Sequence, residues 1–284
     1  MSQAYNTAVQ CSDDPAVVRA ILDEALRRYV GCPLDLTPGE HSQVAFETCR
    51  ELTGVEDPYL EAKREANAAA MALYPSLRER LTASADPLRD ALLLAVAGNI
   101  IDMGIAQEYD LIEDIVKQVE RGFDLGDLDG FRAAQAEAKT ILYLGDNAGE
   151  IVFDRLLIEQ LSPARVTLAV RGAPVINDAT LVDARAVGLH EIVEIIDNGS
   201  DAPGTILEDC SQDFIRRFTE ADLILAKGQG NFETLSDDPR DIFFLFKAKC
   251  PVIAACVGLP IGTHVLARSN ARLSNPGDCA HARI

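Results

Sequence analysis

The 284-residue chain is poor in positive charge: 26 Lys and Arg stand against 45 Asp and Glu, a formal charge of −19. Nucleic acid and anionic membrane are bound by basic surface, so neither is expected as a main partner. A small anion in a locally basic pocket stays open. The four histidines, at 41, 190, 264 and 281, form no HxH or HExxH pattern, which argues against a zinc site. Seven cysteines include no CxxC pair, and the odd count suits free thiols in a reducing cytoplasm better than a disulfide scaffold. No apolar run approaches the length of a membrane span, and Met1 to Asp14 lacks the basic start and apolar stretch of a signal peptide. A cytoplasmic location is therefore expected. Nucleotide and hydrolase signatures are missing as well. There is no GxxxxGK[ST] loop and no GxSxG elbow, Glu233 stands where a dinucleotide fingerprint would place its third glycine, and no DxD pair follows the first sheet strand.

What is present is an ordinary globular balance, 48 % hydrophobic and 25 % charged, in a length that suits one large domain or two modest ones. Residues 14 to 120 read almost entirely as helix. Asp14-Pro15, Asp57-Pro58 and Asp86-Pro87 each pair a capping side chain with a proline suited to a first turn, and apolar residues then recur at helical spacing. Gly122 to Gly130 reads as a linker. The expected division is a helical domain over 1–130, a second domain over 131–268 and a flexible tail over 269–284. Acidity is concentrated early, with 25 acidic and 13 basic residues in 1–139 against 20 and 13 in 140–284.

From Thr140 the pattern changes to short apolar runs, at Ile141–Leu144, Val166–Val170, Ile192–Ile196, Leu223–Ala226 and Val252–Cys256, most of them separated by helical stretches. That alternation predicts an α/β domain, a mainly parallel, doubly wound sheet of five or more strands in a three-layer α/β/α arrangement. Parallel strands end on one edge of the sheet, where open α/β folds bind ligands. The polar, glycine-rich segments Gly145–Glu150, Arg171–Asp178, Asp197–Ser200 and Lys227–Asn231 should therefore converge on one rim.

Asp146 and Asp178 lie about one strand-helix-strand unit apart, so both can reach that rim, and facing carboxylates repel unless a positive charge lies between them. With the amide oxygen of Asn147 they form an all-oxygen set that suits a hard divalent ion, Mg2+ or Mn2+. Two aspartates neutralise such an ion, and Lys227 with Arg171 would then leave the rim locally positive. That favours a phosphate dianion, held also by backbone N–H groups of the glycine turns, and metal plus lysine on phosphate implies phosphoryl chemistry. Plainer readings compete: Asn147 with Glu150 as a capping box, Asp178 as a helix cap, Lys227 as a solvated lysine, and Arg171 paired with a surface acid.

The segments Asp146-Asn147-Ala148-Gly149-Glu150, Pro174 to Thr180, Lys227-Gly228-Gln229-Gly230-Asn231-Phe232-Glu233 and Gly98-Asn99-Ile100-Ile101-Asp102 together resemble the damage-control phosphatase family, also catalogued as domain of unknown function 89. The likeness runs from about Asp13 to about Leu266. It implies a helical domain joined to an α/β/α domain and metal-dependent hydrolysis of small phosphorylated metabolites such as sugar phosphates. By motif match, Asp146, Asn147 and Asp178 take metal-ligand positions and Lys227 a phosphate-contacting one. Glu150 and Asn231 line the same pocket, and Glu150 is the nearest group to orient water. Arg171, Asn177, Gly228 and Asn99 are the remaining substrate-side candidates, and Asn99 with Asp102 matches a motif that either reaches the site or docks the domains. The metal implied is Mn2+ or Mg2+, with Co2+ or Ni2+ as further candidates. Two other functions stay open at this level: an adenosylmethionine-dependent methyl transferase, suggested by the Gly145–Gly149 loop, and a non-catalytic metal- or metabolite-binding protein. Direct attack by water and a phospho-aspartate intermediate are likewise both open.

Overall fold

Proline lacks an N–H and has a fixed φ, so it is well placed in the first turn of a helix behind a capping aspartate. The computed structural model describes residues 2–33, 38–98, 108–161 and 165–269, and it shows this device at work. Asp14 accepts the Ala16 N–H at 2.8 Å and Asp86 accepts the Arg89 N–H at 3.2 Å, each as the cap of its helix. The expectation at Asp57-Pro58 is corrected: Asp57 accepts the Tyr59 N–H at 3.0 Å in a turn, and the helix starts only after it, with Tyr59 in the cap position. Six helices come first: α1 (Ser2–Cys11), α2 (Pro15–Gly31), α3 (Pro38–Thr53), α4 (Leu60–Ala83), α5 (Pro87–Ala97) and α6 (Glu108–Arg121). Strand and helix then alternate as β1 (Leu125–Gly126), α7 (Leu128–Glu137), β2 (Thr140–Leu144), α8 (Glu150–Ile158), β3 (Arg165–Val170), α9 (Leu181–Ala186) and β4 (Glu194–Asp197). The chain continues as α10 (Gln212–Glu220), β5 (Leu223–Lys227), α11 (Gly228–Leu235), β6 (Ile242–Lys247), α12 (Pro251–Val257) and β7 (His264–Arg268).

The sheet order is β1-β7-β6-β5-β2-β3-β4, with every pair parallel except β6 with β7. Because side chains alternate along a strand, each central strand feeds two cores. Ile141, Tyr143, Leu225 and Phe243 pack with α5, α7 and α8 on one face. Leu142, Leu144, Ile224 and Phe244 pack on the other with Phe214 of α10, Phe232 of α11 and Ile253 of α12. Helices α1 to α3 keep small cores of their own around Ala4, Ala25 and Ala45 and around Ala8, Ile21 and Cys49. They are tied to the sheet domain through the Arg50–Asp201 ion pair and through Gln43, whose Nε2 donates to Asp201 Oδ1 at 2.8 Å.

Some sequence expectations are corrected. Val252–Cys256 is not a strand but the body of α12, because Pro251 and a Cys250 cap start a helix there. A short apolar run does not by itself distinguish a buried strand from a buried helix. The strands at that end of the sheet are β6 and the antiparallel β7 instead. Within Gly122–Gly130, Leu125–Gly126 forms β1, with Leu125 opposite Val265, and Leu128 opens α7, so the stretch is not merely a linker. Asn99, Asp102 and residues 270–284 of the expected tail lie outside the described residues. No helix among the described residues is long and apolar enough to cross a membrane.

Candidate active site

The chain winds from β2 outward to β3 and β4 on one side, then crosses to β5 on the other. The carboxyl ends of β2 and β5 therefore border a switch point, the place where an open α/β sheet forms a crevice. Gly149, at φ 79°, turns the β2 loop into α8. The segment after β3 folds back onto that loop: Asn147 bridges to Asp178 and Arg171 to Thr180. Backbone hydrogen bonds fix the register, Ala148 N–H to Asn177 O at 2.8 Å and Ala179 N–H to Asp146 O at 2.8 Å. Asp146 and Asp178 are thus set side by side by main chain. Ile176, two residues before Asp178, is held at φ 44°. A β-branched residue in that region carries strain of about 1–3 kcal/mol, which the surrounding bridges must overcome.

Side chains interlock around this pair. Arg171 Nε donates to Asp178 Oδ2 at 2.7 Å, and its terminal nitrogens reach Thr205 Oγ1 at 3.3 Å and Asn231 Oδ1 at 3.4 Å. Asn231 Nδ2 in turn donates to Gly145 O at 3.2 Å and Lys227 O at 2.7 Å, joining the ends of β2 and β5. The Asn147 amide donates to Asp146 Oδ2 and to Glu150 Oε1, both at 3.1 Å. Lys227, 1 % exposed, donates to Asp154 Oδ1 at 2.8 Å and lies 3.7 Å from Glu150 Oε2. Gly228 adopts φ 81°, and a Cβ there would fall 1.9 Å from Asp146 Oδ2. Only glycine lets β5 turn this close to the aspartate.

Four buried carboxylates (Asp146, Glu150, Asp154 and Asp178) share this space with two buried cations (Arg171 and Lys227), an excess of two negative charges. Burial, then Glu150 and Asp178, push the Asp146 carboxyl well above its ordinary range. Burial also raises Asp178, against the opposing pull of Arg171. Burial works against the Lys227 ammonium, but Asp154 and Glu150 outweigh it and hold the group above its ordinary value, so it is charged at neutral pH. The expectation of a locally positive rim is corrected: each cation already has its acid, and a divalent ion would bring the set to neutrality. Among the described residues no three His, Cys, Asp or Glu side chains form a metal-holding group. The donors available are two carboxylates and an amide oxygen, a hard oxygen set that suits an ion keeping several of its waters. The excess of two negative charges, with Asp146 and Asp178 repelling one another, fits such an ion.

The structure brings together Asp146, Asn147, Glu150, Arg171, Asp178, Lys227, Gly228 and Asn231. Asn177 contributes its backbone carbonyl. Three plainer sequence readings do not hold. Helix α9 is capped by Thr180 with Asp183, not by Asp178, Asn147 hydrogen-bonds to the Glu150 side chain rather than forming a capping box, and Lys227 is not solvated. Residues that sequence reasoning missed form the support. Asp154 accepts from Tyr143 as well as Lys227 and is fully buried. From the helical side, Asn67 of α4 accepts the Gly149 N–H at 2.7 Å and donates to Asp183 Oδ1 at 3.1 Å, while Lys63 lies between Asp183, at 3.2 Å, and Asp57, at 2.6 Å. The available signal was a Lys and an Asn one turn apart on the face of α4 that carries Ala70 and Leu73, polar residues among apolar ones. Asn67→Ala leaves the Gly149 donor and an Asp183 oxygen without these partners. It should cost about 1–3 kcal/mol per orphaned group, measured as a lower denaturant midpoint at unchanged slope.

Comparison with known proteins agrees with this arrangement. Residues 1–265 match the family described as the Damage-control phosphatase ARMT1-like domain. The chain is 34 % identical over 280 residues to a damage-control phosphatase of Archaeoglobus fulgidus, covering 93 % of this chain and 94 % of that one. It is 35 % identical over 242 residues to a damage-control phosphatase of Pyrococcus horikoshii, covering 83 % of each. The crystal structure of a DUF89 family protein from Pyrococcus horikoshii superposes with a TM-score of 0.87 at 30 % identity, covering 95 % of both chains. With that fold, and with sequence likeness running almost end to end, the chain belongs to the damage-control phosphatase family.

Proposed function

We propose that this protein is a divalent-metal-dependent phosphatase that hydrolyses small phosphorylated metabolites, sugar phosphates among them, in the cytoplasm, with no nucleic-acid or membrane partner. The observation that carries the reading is the buried pair Asp146 and Asp178, set side by side by the Asn147–Asp178 bridge in a pocket with two surplus negative charges. Asp146, Asp178 and the amide oxygen of Asn147 would hold Mn2+ or Mg2+, with Co2+ or Ni2+ as substitutes. When bound, such an ion polarises the phosphoryl group and acidifies water. Arg171 keeps Asp178 in one rotamer through its Nε contact, and Asn231 locks the two strand ends that carry Asp146 and Lys227. Glu150 faces the same space, positioned by Asn147 and Lys227, and can orient a water by accepting its hydrogen bond. Lys227 keeps positive charge beside the reacting group, where negative charge increases in the transition state.

Phosphate release from a panel of phosphomonoesters tests the proposal. Turnover is expected with Mn2+ or Mg2+, to vanish with a chelator, and to return on adding the ion back. Release that survives both chelation and Asp146→Ala would sink it.

A further inference from the structure

Helix α4 reaches the site with two buried polar side chains, although apolar contacts are at hand to hold it in place. Ala70, Leu73 and Leu77 of the same helix belong to one apolar core with Val152 and Phe153 of α8. Docking alone does not call for a buried lysine and a buried asparagine, whose desolvation must be offset by hydrogen bonds. What those bonds reach is informative. Asn67 Oδ1 accepts the N–H of Gly149, two residues after Asn147. Its Nδ2 donates to Asp183 Oδ1, and the other oxygen of Asp183 accepts from the N–H of Thr180 at 2.9 Å and from its hydroxyl at 2.8 Å. Thr180 stands two residues after Asp178. One amide therefore holds the loop that carries Asp146 and Asn147 and, through Asp183, the loop that carries Asp178. Lys63, 1 % exposed and one turn earlier on α4, keeps Asp183 in that position. The main-chain bonds from Ala148 to Asn177 and from Ala179 to Asp146 join the two loops at the aspartates themselves. Asn67 with Asp183 adds a second tie beyond them, which opposes the mutual repulsion of Asp146 and Asp178 before an ion binds.

We propose that Asn67 is a positioning residue for the metal: with Asp183 it fixes the separation of the Asp146 and Asp178 loops, so the sheet forms a tight cation site only with α4 seated against it. This rests on the phosphatase reading and adds to it a residue outside the motifs, from the helical side. Metal binding and the seating of α4 then favour each other, because both stabilise the same loop geometry. The test uses the full chain with Mn2+ as the probe, in calorimetry at a temperature where the variants are folded. Asn67→Ala should bind Mn2+ about tenfold or more weakly, the scale on which loss of a hydrogen-bonded support behind metal ligands is felt. Leu77→Ala, a core truncation further along α4, should lower the melting temperature and leave Mn2+ affinity unchanged. Hydrogen exchange of the wild type in chelator needs no variant: the amides of Gly149 and Thr180 should already be protected. If they exchange freely until Mn2+ is added, the ion rather than Asn67 sets the loops, and the proposal falls. It falls also if folded Asn67→Ala binds Mn2+ as tightly as the wild type, or if Leu77→Ala weakens binding as much as Asn67→Ala does. In each of these cases the phosphatase reading stands. If the wild type binds none of Mn2+, Mg2+, Co2+ and Ni2+, both fall.

Discussion

Replacing Asp146 with asparagine is expected to lower metal-dependent turnover by about a thousandfold, the scale on which loss of one preorganised electrostatic group is felt, while making the metal-free protein more stable at neutral pH. The two effects have one cause. Asp146 is buried beside Glu150 and Asp178, and these surroundings raise its pKa well above the ordinary value. Below about pH 4 the carboxyl is protonated in both folded and unfolded chains and costs little. As pH rises the unfolded chain gives up its proton first, while the folded site retains it to higher pH. Stability therefore falls as pH climbs from the ordinary carboxylate range through the raised value. An asparagine has no charge to bury, so in chelator the melting temperatures of variant and wild type should be close near pH 4 and separate in favour of the variant by pH 7. Adding Mn2+ should raise the wild type and leave the variant almost unmoved, because only the intact site gains stability from the ion. A wild type more stable than the variant in chelator at pH 7 would show that the carboxylates are relieved by something other than a metal.

Lys227→Met is the second large effect. The change removes the cation from a carboxylate that is completely buried, and breaking such a pair costs about 3–5 kcal/mol. For a chain of this size that is a drop in melting temperature of roughly 10 °C. The double variant Lys227→Met with Asp154→Leu should recover much of the loss, since an apolar pair of similar volume no longer buries an unmatched charge. Recovery should stop short of complete, because the Tyr143 hydroxyl, which donates to Asp154 at 2.7 Å, loses its acceptor. Activity should not return with stability. A double variant as unstable as the single one would mean that the Lys227 site matters for packing rather than for charge.

The positions that sequence reasoning reached are those whose chemistry is local. Asp14 and Asp86 each stand directly before a proline and cap a helix, and a capping hydrogen bond spans only two or three residues. The glycine-rich segments after β2, β3 and β5 are identifiable because a run of polar and small residues after an apolar strand needs no distant partner to be recognised. The misreading at Val252–Cys256 came from the same locality, since the five-residue run is apolar whether it forms a strand or a helix. What decided it was which of Ile242–Lys247 and Val252–Cys256 could pair with β5, and β6 took that place through the register Ile224 to Ile242. Asp154 was out of reach for a comparable reason. In sequence it is one acid among the mostly apolar residues of α8, and only the approach of β5 places Lys227 against it.

Sequence by itself determined the class of fold, the rim on which the loops meet and the residue types there, because periodicity, caps and turn glycines act over a few residues. The deficit of basic residues likewise excluded a broad anion-binding surface at once. Tertiary structure decided the sign of the charge at the site. Ion pairs form between residues 73 apart, as in Lys227 with Asp154, or across the fold-back of a loop, as in Arg171 with Asp178. Composition counts those charges but does not show which are already neutralised, and in a buried site it is the unpaired remainder that selects the ligand.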